Sequence, residues 1–225
     1  MQEMPRTSAI LLMGGSGARF QSATPKQFHP LGGKPLYLHA LETMLASNLF
    51  HEIILVCHPD WISQIGGIPR TRVVLGGSTR QESSRRGVLS ATADLILIHD
   101  AARPFVSERI LRDNVVEASF HGAVDTCIPS ADTLVHAPNG NWISSIPKRA
   151  EFFRGQTPQT FRADWIREAH EAALRDGIQN ATDDCSLVLR LGKPVAIVLG
   201  EEKNLKITTD FDLALAERFL TLSPN

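Results

Sequence analysis

The sequence predicts a single α/β domain built on a mostly parallel sheet with helices on both faces. Short apolar runs rich in β-branched residues alternate with longer segments of helical period along the chain. Two of these runs, Ile53–Val56 and Leu95–Ile98, are apolar on both faces, as strands buried between two helical layers are. A length of 225 residues suits one substantial domain of this class.

The elements follow from these patterns in order. The predicted strands are Ala9–Met13, Glu52–Cys57, Arg72–Leu75, Leu95–His99, Ala123–Ile128 and Pro194–Leu199. The predicted helices are Pro35–Ala46, Arg80–Ala91, Ser107–Ser119, Asp164–Leu174, Asp183–Leu191 and Phe211–Leu220. Thr209 followed by Asp212 resembles a capping box at the start of the last helix. Strand–helix alternation places a ligand site beyond the carboxyl ends of the strands.

One stretch, Asp132–Ile146, breaks the alternation. β-prone residues stand on both sides of Asn139-Gly140, a dipeptide strongly associated with hairpin turns. A lone two-stranded hairpin is marginal in water, so this arm must pack on something. It folds either onto its own domain or onto a second subunit, and we favour the second subunit.

Composition excludes several classes of protein. Lys plus Arg number 23 against 24 Asp plus Glu, and the net charge of −1 disfavours broad binding to nucleic acid. The three cysteines lie far apart and form no C-x-x-C pair, which disfavours a disulfide framework or a zinc site. The first predicted strand leaves no room for a signal peptide, and no apolar run approaches the roughly 20 residues of a membrane helix. We therefore expect a soluble cytoplasmic protein that binds neither nucleic acid nor membrane.

A glycine-rich loop after the first predicted strand points to a nucleotide. Its glycines let the main chain turn sharply and present N–H groups to phosphate oxygens, and they are Gly14, Gly15 and Gly17. Arg19 and Lys26 follow closely and supply positive charge for a reacting polyphosphate. The loop is neither a Walker A loop nor a complete G-x-G-x-x-G pattern, because Phe20 stands where the third glycine belongs. A tight turn that serves only the topology is the alternative.

The segment His99–Pro104 follows a buried strand at the same predicted edge. Asp100 suits a divalent cation that bridges phosphates, and Mg²⁺ fits because a triphosphate brings its own oxygens. The small side chain of Ala101 leaves space for a sugar or base. Arg103 suits an ion pair with Asp100 that fixes the loop.

Further segments carry candidate ligands for the nucleotide or for a second anion. Gly76-Gly77 ends a predicted strand, where main-chain groups and the Ser83 hydroxyl suit a base edge; a plain turn is the alternative. Arg149 follows the predicted arm, and Lys206 lies in an alternating, strand-like stretch. Both suit a second anionic group, with solvated surface charge as the alternative.

Taken together and in order, these segments resemble the sugar-alcohol-phosphate cytidylyltransferases, above all the 2-C-methyl-D-erythritol 4-phosphate cytidylyltransferase family of the non-mevalonate isoprenoid pathway. The segments that carry the resemblance are Leu11–Arg19, Pro25–Gln27, Gly76–Ser83, His99–Pro104, Asp132-Thr133, Gln156–Gln159, Thr182–Asp184 and Asn204–Thr208. The resemblance implies a single Rossmann-like nucleotidyltransferase domain over residues 1–225. It also implies a protruding β-arm at residues 132–147, through which a homodimer forms.

The resemblance implies roles for particular residues as well. The residues implied to bind CTP, with Mg²⁺ on the aspartate, are Met13, Gly14, Gly15, Gly17, Gly76, Gly77, Ser83, Asp100, Ala101 and Arg103. The residues implied as catalytic are Arg19, Lys26, Arg149 and Lys206. The residues implied to bind the sugar phosphate, those of the arm from across the dimer, are Thr133, Arg149, Thr182 and Lys206. The sequence departs from the family pattern at Met13, Ser84 and Arg86.

The implied reaction is in-line attack of the acceptor's phosphate on the α-phosphate of CTP, with pyrophosphate as the leaving group. Asp100–Arg103 and Thr182–Asp184 look closer to the methylerythritol enzymes, whereas Gly122–Thr126, Ile146–Arg149 and Gly155–Gln159 look closer to ribitol-5-phosphate cytidylyltransferases. Methylerythritol phosphate is the expected acceptor, and ribitol 5-phosphate is the alternative. The incomplete glycine pattern disfavours an NAD-dependent dehydrogenase, and the set of basic residues disfavours a non-catalytic nucleotide sensor.

Overall fold

The computed structural model describes residues 5–14 and 25–222, and within them seven strands form one central sheet. The strands, in chain order, are β1 (Thr7–Met13), β2 (Pro30–Leu31), β3 (Lys34–Pro35), β4 (Glu52–Cys57), β5 (Thr71–Leu75), β6 (Leu95–Asp100), β7 (Ala123–Pro129), β8 (Phe153–Arg162) and β9 (Ala196–Leu199). The order in the central sheet is β5-β4-β1-β6-β8-β7-β9, and β2 and β3 form a separate antiparallel ribbon. Among these seven strands only β8 runs antiparallel to its neighbours, so the predicted, mostly parallel sheet is confirmed.

Helices cover both faces of the sheet, as predicted. They are α1 (Leu36–Ser47), α2 (Arg80–Ser90), α3 (Glu108–His121), α4 (Ala163–Arg175), α5 (Cys185–Arg190) and α6 (Asp210–Leu222). Alternate side chains of β1 lie on opposite faces of the sheet. Leu11 lies in the core formed with α1 and α3, and Ile10 lies in the core formed with α2 and α4. The helix α6 packs over the β2–β3 ribbon. No helix within the described ranges combines the length and the apolar character needed to cross a bilayer.

The start of α6 has the hydrogen bonds expected from the sequence. Thr209 Oγ1 accepts a hydrogen bond from Asp212 N at 3.2 Å, and Asp212 Oδ2 accepts one from Thr209 N at 2.8 Å. This reciprocal pair is the capping box that the sequence predicts. Two main-chain donors that have no partner inside the helix are thereby satisfied.

The strand β8 is missing from the strands that the sequence predicts. It contains Pro158, and a proline inside a central strand removes a donor from the hydrogen-bond ladder. The strand tolerates the proline because regular pairing is interrupted there: Asp125 of β7 pairs with Gln159, but Cys127 pairs with Gly155. This irregularity brings the middle of β8 to the carboxyl edge of the neighbouring parallel strands.

The arm at residues 132–147 reverses direction at the predicted turn but contains little regular pairing. Gly140 N donates to the carbonyl of Ala137 at 3.0 Å, and one antiparallel bridge joins His136 to Ser145. Its apolar side chains do not pack on their own domain, since Trp142 is 83% exposed and Ile143 is 61% exposed. Within one chain the arm is therefore a loose hairpin with an unburied apolar surface.

Gly87 tests how closely α2 packs on the sheet. A Cβ at this position would lie 2.8 Å from Ile10 Cγ2 and 3.0 Å from Val56 Cγ2. Helix propensity alone favours alanine over glycine by about 1 kcal/mol, but overpacking a core typically costs about 1–3 kcal/mol. We expect Gly87→Ala to lower the free energy of unfolding by about 1 kcal/mol, measured by urea denaturation.

Gly66→Ala is the matched control, because a Cβ there has no atom within 4 Å. Its stability should stay the same or rise slightly. A Gly87→Ala protein at least as stable as the wild type would contradict the close contact of α2 with β1 and β4.

Candidate active site

Two glycine segments meet at one serine beyond the carboxyl ends of β1, β4 and β5. Ser83 Oγ accepts a hydrogen bond from Gly77 N at 3.0 Å and donates one to the carbonyl of Thr79 at 2.9 Å. A Cβ on Gly14 would lie 2.8 Å from this hydroxyl oxygen, and a Cβ on Gly76 would lie 3.2 Å from it. Glycine suits so close an approach, so Gly14, Gly76 and Gly77 line one narrow edge of main chain around Ser83, which we call the glycine edge.

The Pro25–Gln27 segment is tied to the end of β1. The Gln27 side chain is buried, and its Nε2 donates to the carbonyl of Met13 at 2.5 Å. This contact holds the chain at Lys26 close to the end of β1. Met13 is 1% exposed and lies in the core, so only its main chain faces this edge, not the side chain that departs from the family pattern. Gly15, Gly17 and Arg19 fall outside the described residues, and their roles stay predictions.

The loop after β6 is fixed by a buried histidine. His99 is fully buried, and burial lowers its pKa to about 4, so the ring is neutral at pH 7. Thr157 Oγ1 accepts a hydrogen bond from Asp100 N at 3.1 Å and lies 3.0 Å from His99 Nδ1. The hydroxyl therefore donates to Nδ1, and the Nε2–H donates to the carbonyl of Arg103 at 3.0 Å.

Four charged side chains form a continuous chain of ion pairs beside this loop. Lys206 Nζ lies 2.6 Å from Asp100 Oδ2, and Arg80 Nε lies 3.4 Å from Asp100 Oδ1. The same guanidinium reaches Asp184 Oδ2 through Nη1 at 2.9 Å. The Ser84 hydroxyl donates to the other oxygen of Asp184 at 2.6 Å. Asp184 is 1% exposed, so its charge depends on these partners.

The two carboxylates of this chain are strongly acidic. Burial alone would raise the pKa of Asp100, but Arg80 and Lys206 outweigh it and hold that pKa well below its ordinary value. Burial would also raise the pKa of Asp184, yet the Arg80 charge and a hydrogen bond from His170 lower it to about 2. Both carboxylates therefore stay ionised at neutral pH, and they raise the pKa of Arg80 in turn despite its burial.

A cavity of about 210 Å³ opens against this chain of charges. Its charged lining residues are Arg80, Asp100, Arg103, Asp125, Asp183 and Lys206. Its other lining residues are Gly155, Gln156, Thr157, Gln159 and Thr182. No aliphatic or aromatic residue is among them, and three basic groups face three acidic ones. Such a lining suits a ligand that carries both an anionic group and hydrogen-bond donors.

Some of the site residues predicted from the sequence line this cavity, and others do not. Asp100, Thr182 and Lys206 line it together with Arg103. Thr133 at the start of the arm and Arg149 just after it are both exposed, and within one chain they do not line this cavity. Arg149 Nη1 donates to a carbonyl at the base of the arm at 2.8 Å.

Two local interpretations are wrong. Asp100 pairs with Arg80 and Lys206, whereas Arg103 Nη1 donates to the carbonyl of Asn204 at 2.8 Å, so the predicted Asp100–Arg103 ion pair does not form. The stretch around Lys206 is not a strand, contrary to its strand-like pattern; a main-chain hydrogen bond of 2.8 Å from Ile207 N to the carbonyl of Ala102 ties it to the loop after β6. Long-range contacts decide both outcomes, and the local pattern contains no information about them.

The sequence alone assigns no role to three charged residues of this cavity. Arg80 and Asp183 stand inside motifs that the sequence singles out, so their positions were available without their partners. Asp125 lies in β7, inside the segment Gly122–Thr126 that resembles the ribitol enzymes, but apart from that resemblance its local signal is a charge among apolar neighbours. A charged residue inside an otherwise buried strand is the one pattern that would have marked it.

Comparisons with known proteins show the family of this chain. The model of the IspD family, 2-C-methyl-D-erythritol 4-phosphate cytidylyltransferase, matches residues 7–222. A ribitol-5-phosphate cytidylyltransferase of Lactiplantibacillus plantarum is 35% identical over 223 residues, which covers 92% of this chain and 95% of that protein. The bifunctional enzyme IspD/IspF of Granulibacter bethesdensis is 39% identical over 222 residues, which covers 97% of this chain but 57% of that protein. The chain thus spans nearly all of the first relative and little more than half of the second.

A solved structure extends the similarity to three dimensions. The crystal structure of 2-C-methyl-D-erythritol 4-phosphate cytidylyltransferase from Thermus thermophilus matches with a TM-score of 0.83 at 34% sequence identity. The match covers 96% of this chain and 100% of that chain. The predicted α/β architecture is confirmed by this agreement over nearly the full length.

Asp184 tests whether the buried chain of charges stabilises the fold. Asp184→Asn leaves the guanidinium of Arg80 without its closest partner, and we expect a loss of about 3 kcal/mol in the free energy of unfolding at pH 7. The control Asp176→Asn breaks an exposed pair with Arg190 and should cost less than about 1 kcal/mol. Urea denaturation measures both.

The stability difference between wild type and Asp184→Asn should also change with pH in a definite direction. The folded-state pKa of Asp184 is about 2, below its ordinary value, so its stabilising effect is complete above that ordinary value. The effect is lost as pH falls through the folded-state pKa. The difference in stability between wild type and Asp184→Asn should therefore shrink between about pH 4 and pH 2. A difference that stays constant over this range would contradict the assignment.

Proposed function

Because the chain belongs to the 2-C-methyl-D-erythritol 4-phosphate cytidylyltransferase family, and is thus a nucleotidyltransferase, we propose that it transfers CMP from CTP to 2-C-methyl-D-erythritol 4-phosphate and releases pyrophosphate. One observation carries the proposal. Asp100 lines the polar cavity and pairs in the sheet with Leu12, two residues before Gly14 of the glycine edge around Ser83, and its carboxylate is paired with Lys206 and Arg80. A nucleotide on the edge and a phosphate in the cavity would therefore come together at these two cations.

The reaction is an in-line displacement that needs no general base. An oxygen of the acceptor's phosphate forms a bond to the α-phosphorus of CTP, and the bond from that phosphorus to the bridging oxygen of the β-phosphate breaks. A phosphate monoester is already anionic, so no proton has to be removed before attack. Catalysis then comes from positioning and from charge stabilisation by Arg19 and Lys26 at the α-phosphate.

Asp100 fits a role in holding Mg²⁺ with the triphosphate. Its carboxylate is ionised at neutral pH, and Oδ1 is held only at 3.4 Å by Arg80. Among the described residues no group of three or more acidic, His or Cys side chains forms a closed metal site. An open site with one carboxylate suits Mg²⁺, which takes its remaining ligands from phosphates and water. When bound, the ion would neutralise charge on the phosphates.

The acceptor fits the cavity with its phosphate toward Lys206, Arg80 and Arg103. Thr182 lies at the same cavity and offers a hydroxyl. Ribitol 5-phosphate is the second candidate, since the 35% identical relative is named for that acceptor. The uniformly polar lining also favours an unbranched polyol, because it offers no apolar side chain to the methyl group of methylerythritol.

We further propose a homodimer formed through the arm. Val135, Trp142, Ile143 and Ile146 are each more than half exposed, and burying such an apolar surface would stabilise a dimer. Arg149 follows the arm directly and lies outside the cavity of its own chain. Across a two-fold axis the arm would bring this cation to the acceptor site of the other subunit.

We also propose that the protein is cytoplasmic. Cys57, Cys127 and Cys185 are all buried free thiols, which suits a reducing compartment. The proposed nucleotide substrate belongs to the same compartment.

The proposed function predicts pyrophosphate release that requires both CTP and a sugar-alcohol phosphate. With Mg²⁺ present, we expect release with methylerythritol phosphate, slower release with ribitol 5-phosphate, and none without an acceptor. Lys26→Ala should lower kcat by about 10²–10³, the usual effect of removing one preorganised contact. The control Lys34→Ala, which loses only a surface pair with Glu42, should keep wild-type kcat. Faster release with ribitol 5-phosphate would reverse the order of the two acceptors, and no release with either would contradict the proposal.

The dimer predicts complementation between two inactive variants. Arg149→Ala damages the arm, and Lys206→Ala damages the cavity. In a mixed dimer one site combines the intact arm of one subunit with the intact cavity of the other. Statistical mixing should restore about one quarter of wild-type activity in a two-fold dimer. Activity that stays at the level of the separate variants would show that each site is built from one chain.

A further inference from the structure

Asp125 places a carboxylate in the proposed acceptor cavity, and the proposed reaction assigns no role to this group. Its Oδ1 accepts a hydrogen bond from Gln159 Nε2 at 2.9 Å. Its Oδ2 has the Cys127 thiol at 3.5 Å, which is a weak donor. On the neighbouring strand Gly155 carries no side chain, and a Cβ there would lie 3.6 Å from Oδ2. The glycine thus leaves this oxygen open toward the cavity.

The strand irregularity aims Asp125 at the cavity. Val124 on one side is buried in the core, and Thr126 on the other is buried and donates to the carbonyl of Pro158 at 2.6 Å. The register between β7 and β8 shifts between Asp125 and Cys127, and irregularities of this kind re-aim side chains near sites. Asp125 is therefore the half-buried member of an otherwise buried stretch.

Holding a carboxylate here costs free energy that the fold does not recover. Burial raises the pKa of Asp125 to about 6, and the charge of Asp183 adds to the shift against the opposing effects of Gln159 and Arg103. The acceptor's phosphate would also be repelled by it. A carboxylate oxygen with spare lone pairs, with a second carboxylate nearby in Asp183, is matched by hydroxyl donors rather than by a phosphate.

Asp183 is the other acidic candidate on this side of the cavity, but its oxygens are engaged. Its Oδ1 accepts from Ser186 N at 2.7 Å at the start of α5, and its Oδ2 accepts from the Thr182 hydroxyl at 3.3 Å. Asp125 therefore has the more open oxygen of the two.

Resting on the proposed function, we propose that Asp125 accepts hydrogen bonds from hydroxyl groups on the carbon chain of the acceptor and so determines its specificity and position. The phosphate lies toward Lys206 and Arg80, and the polyol chain extends toward Asp125. The residue is a binding and positioning group for a polyhydroxylated phosphate monoester. Acceptors that lack the matching hydroxyl lose this contact while keeping the phosphate contacts.

The assignment is tested by a thermodynamic cycle that combines a substitution in the protein with the removal of a hydroxyl group from the substrate. The variant is Asp125→Asn, and the substrates are the reactive acceptor and its single-deoxy analogues. With the full acceptor we expect KM for the acceptor to rise about tenfold, the usual effect of losing a hydrogen bond to a charged group, while KM for CTP stays the same. With the analogue that lacks the contacting hydroxyl, wild type and variant should have nearly equal KM. An identical factor for every analogue would mean a structural role and would overturn the proposal.

Gly155→Ala is the second variant, and it leaves Asp125 unchanged. The added methyl group would lie in ordinary contact with Oδ2 and cover it from the cavity. KM for the acceptor should again rise and KM for CTP should not. An unchanged KM for the acceptor would show that Oδ2 makes no contact with it.

The pH profile separates the carboxylate from other titrating groups. The ratio of the acceptor KM of Asp125→Asn to that of the wild type should fall toward one as pH drops through about 6, because the wild-type carboxyl becomes protonated. The acceptor's phosphate titrates equally in both proteins and cancels. The charged and titratable groups facing Asp125 are Asp183, Arg103 and the thiols of Cys127 and Cys185, and burial raises the pKa of both thiols far above this range. A ratio independent of pH would contradict the assignment.

Different results would contradict the proposed function and the role of Asp125. Wild-type protein that releases no pyrophosphate from CTP with either sugar-alcohol phosphate contradicts the proposed function, and the role of Asp125 falls with it. Wild-type activity with no coupling between Asp125→Asn and any hydroxyl removal contradicts the role of Asp125 alone.

Discussion

Two buried carboxylates hold the cations of this site in place, and the remaining geometry depends on them. Asp184 fixes Arg80 across 104 residues of sequence, and Asp100 fixes Lys206 across 106 residues. Arg80 also contacts Asp100, so four distant segments of the chain form one electrostatic unit. Each charge inside this unit is stable only because its partners are present.

This unit lies where the topology of the sheet leaves space. The carboxyl ends of β1, β4, β5 and β6 point to one edge, which is where open α/β sheets hold their ligands. The antiparallel β8, inserted beside β6, brings Gly155, Thr157 and Gln159 to that edge with main-chain irregularity instead of regular pairing. At that edge Asp100 lines the polar cavity and pairs with Leu12, two residues before Gly14. Cytidylyl transfer requires such a meeting of two anionic substrates.

Much of the fold follows from the sequence, because the interactions that form it are local or periodic. Strands such as β4 and β6 are apolar on both faces, and the capping box at Thr209 and Asp212 uses neighbours three residues apart. The strand β8 escapes such reasoning, since Pro158 argues against a central strand and only the tertiary context of β7 permits it. The loop after β6 and the glycine segments can also be predicted from the sequence, because short local motifs mark them.

The partners of charged residues are not predictable in this way. Local spacing suggests that Asp100 pairs with Arg103, but in the structure Asp100 forms ion pairs with Arg80 and Lys206. Asp125 lies in the segment Gly122–Thr126, which carries a family resemblance but assigns this residue no role, and its place in the cavity depends on a register shift between two strands. The sequence therefore identifies which segments form the site, and only the three-dimensional structure identifies which charges meet.

The most direct test is a crystal structure of the protein with Mg²⁺, a non-reactive CTP analogue and the sugar-alcohol phosphate. The account predicts that the acceptor's phosphate lies between Lys206 and Arg80, with one oxygen about 3–3.5 Å from the α-phosphorus of the analogue. The analogue's phosphates should follow the glycine edge beside Ser83. An acceptor phosphate bound away from both cations, with Lys206 still paired only to Asp100, would contradict the account.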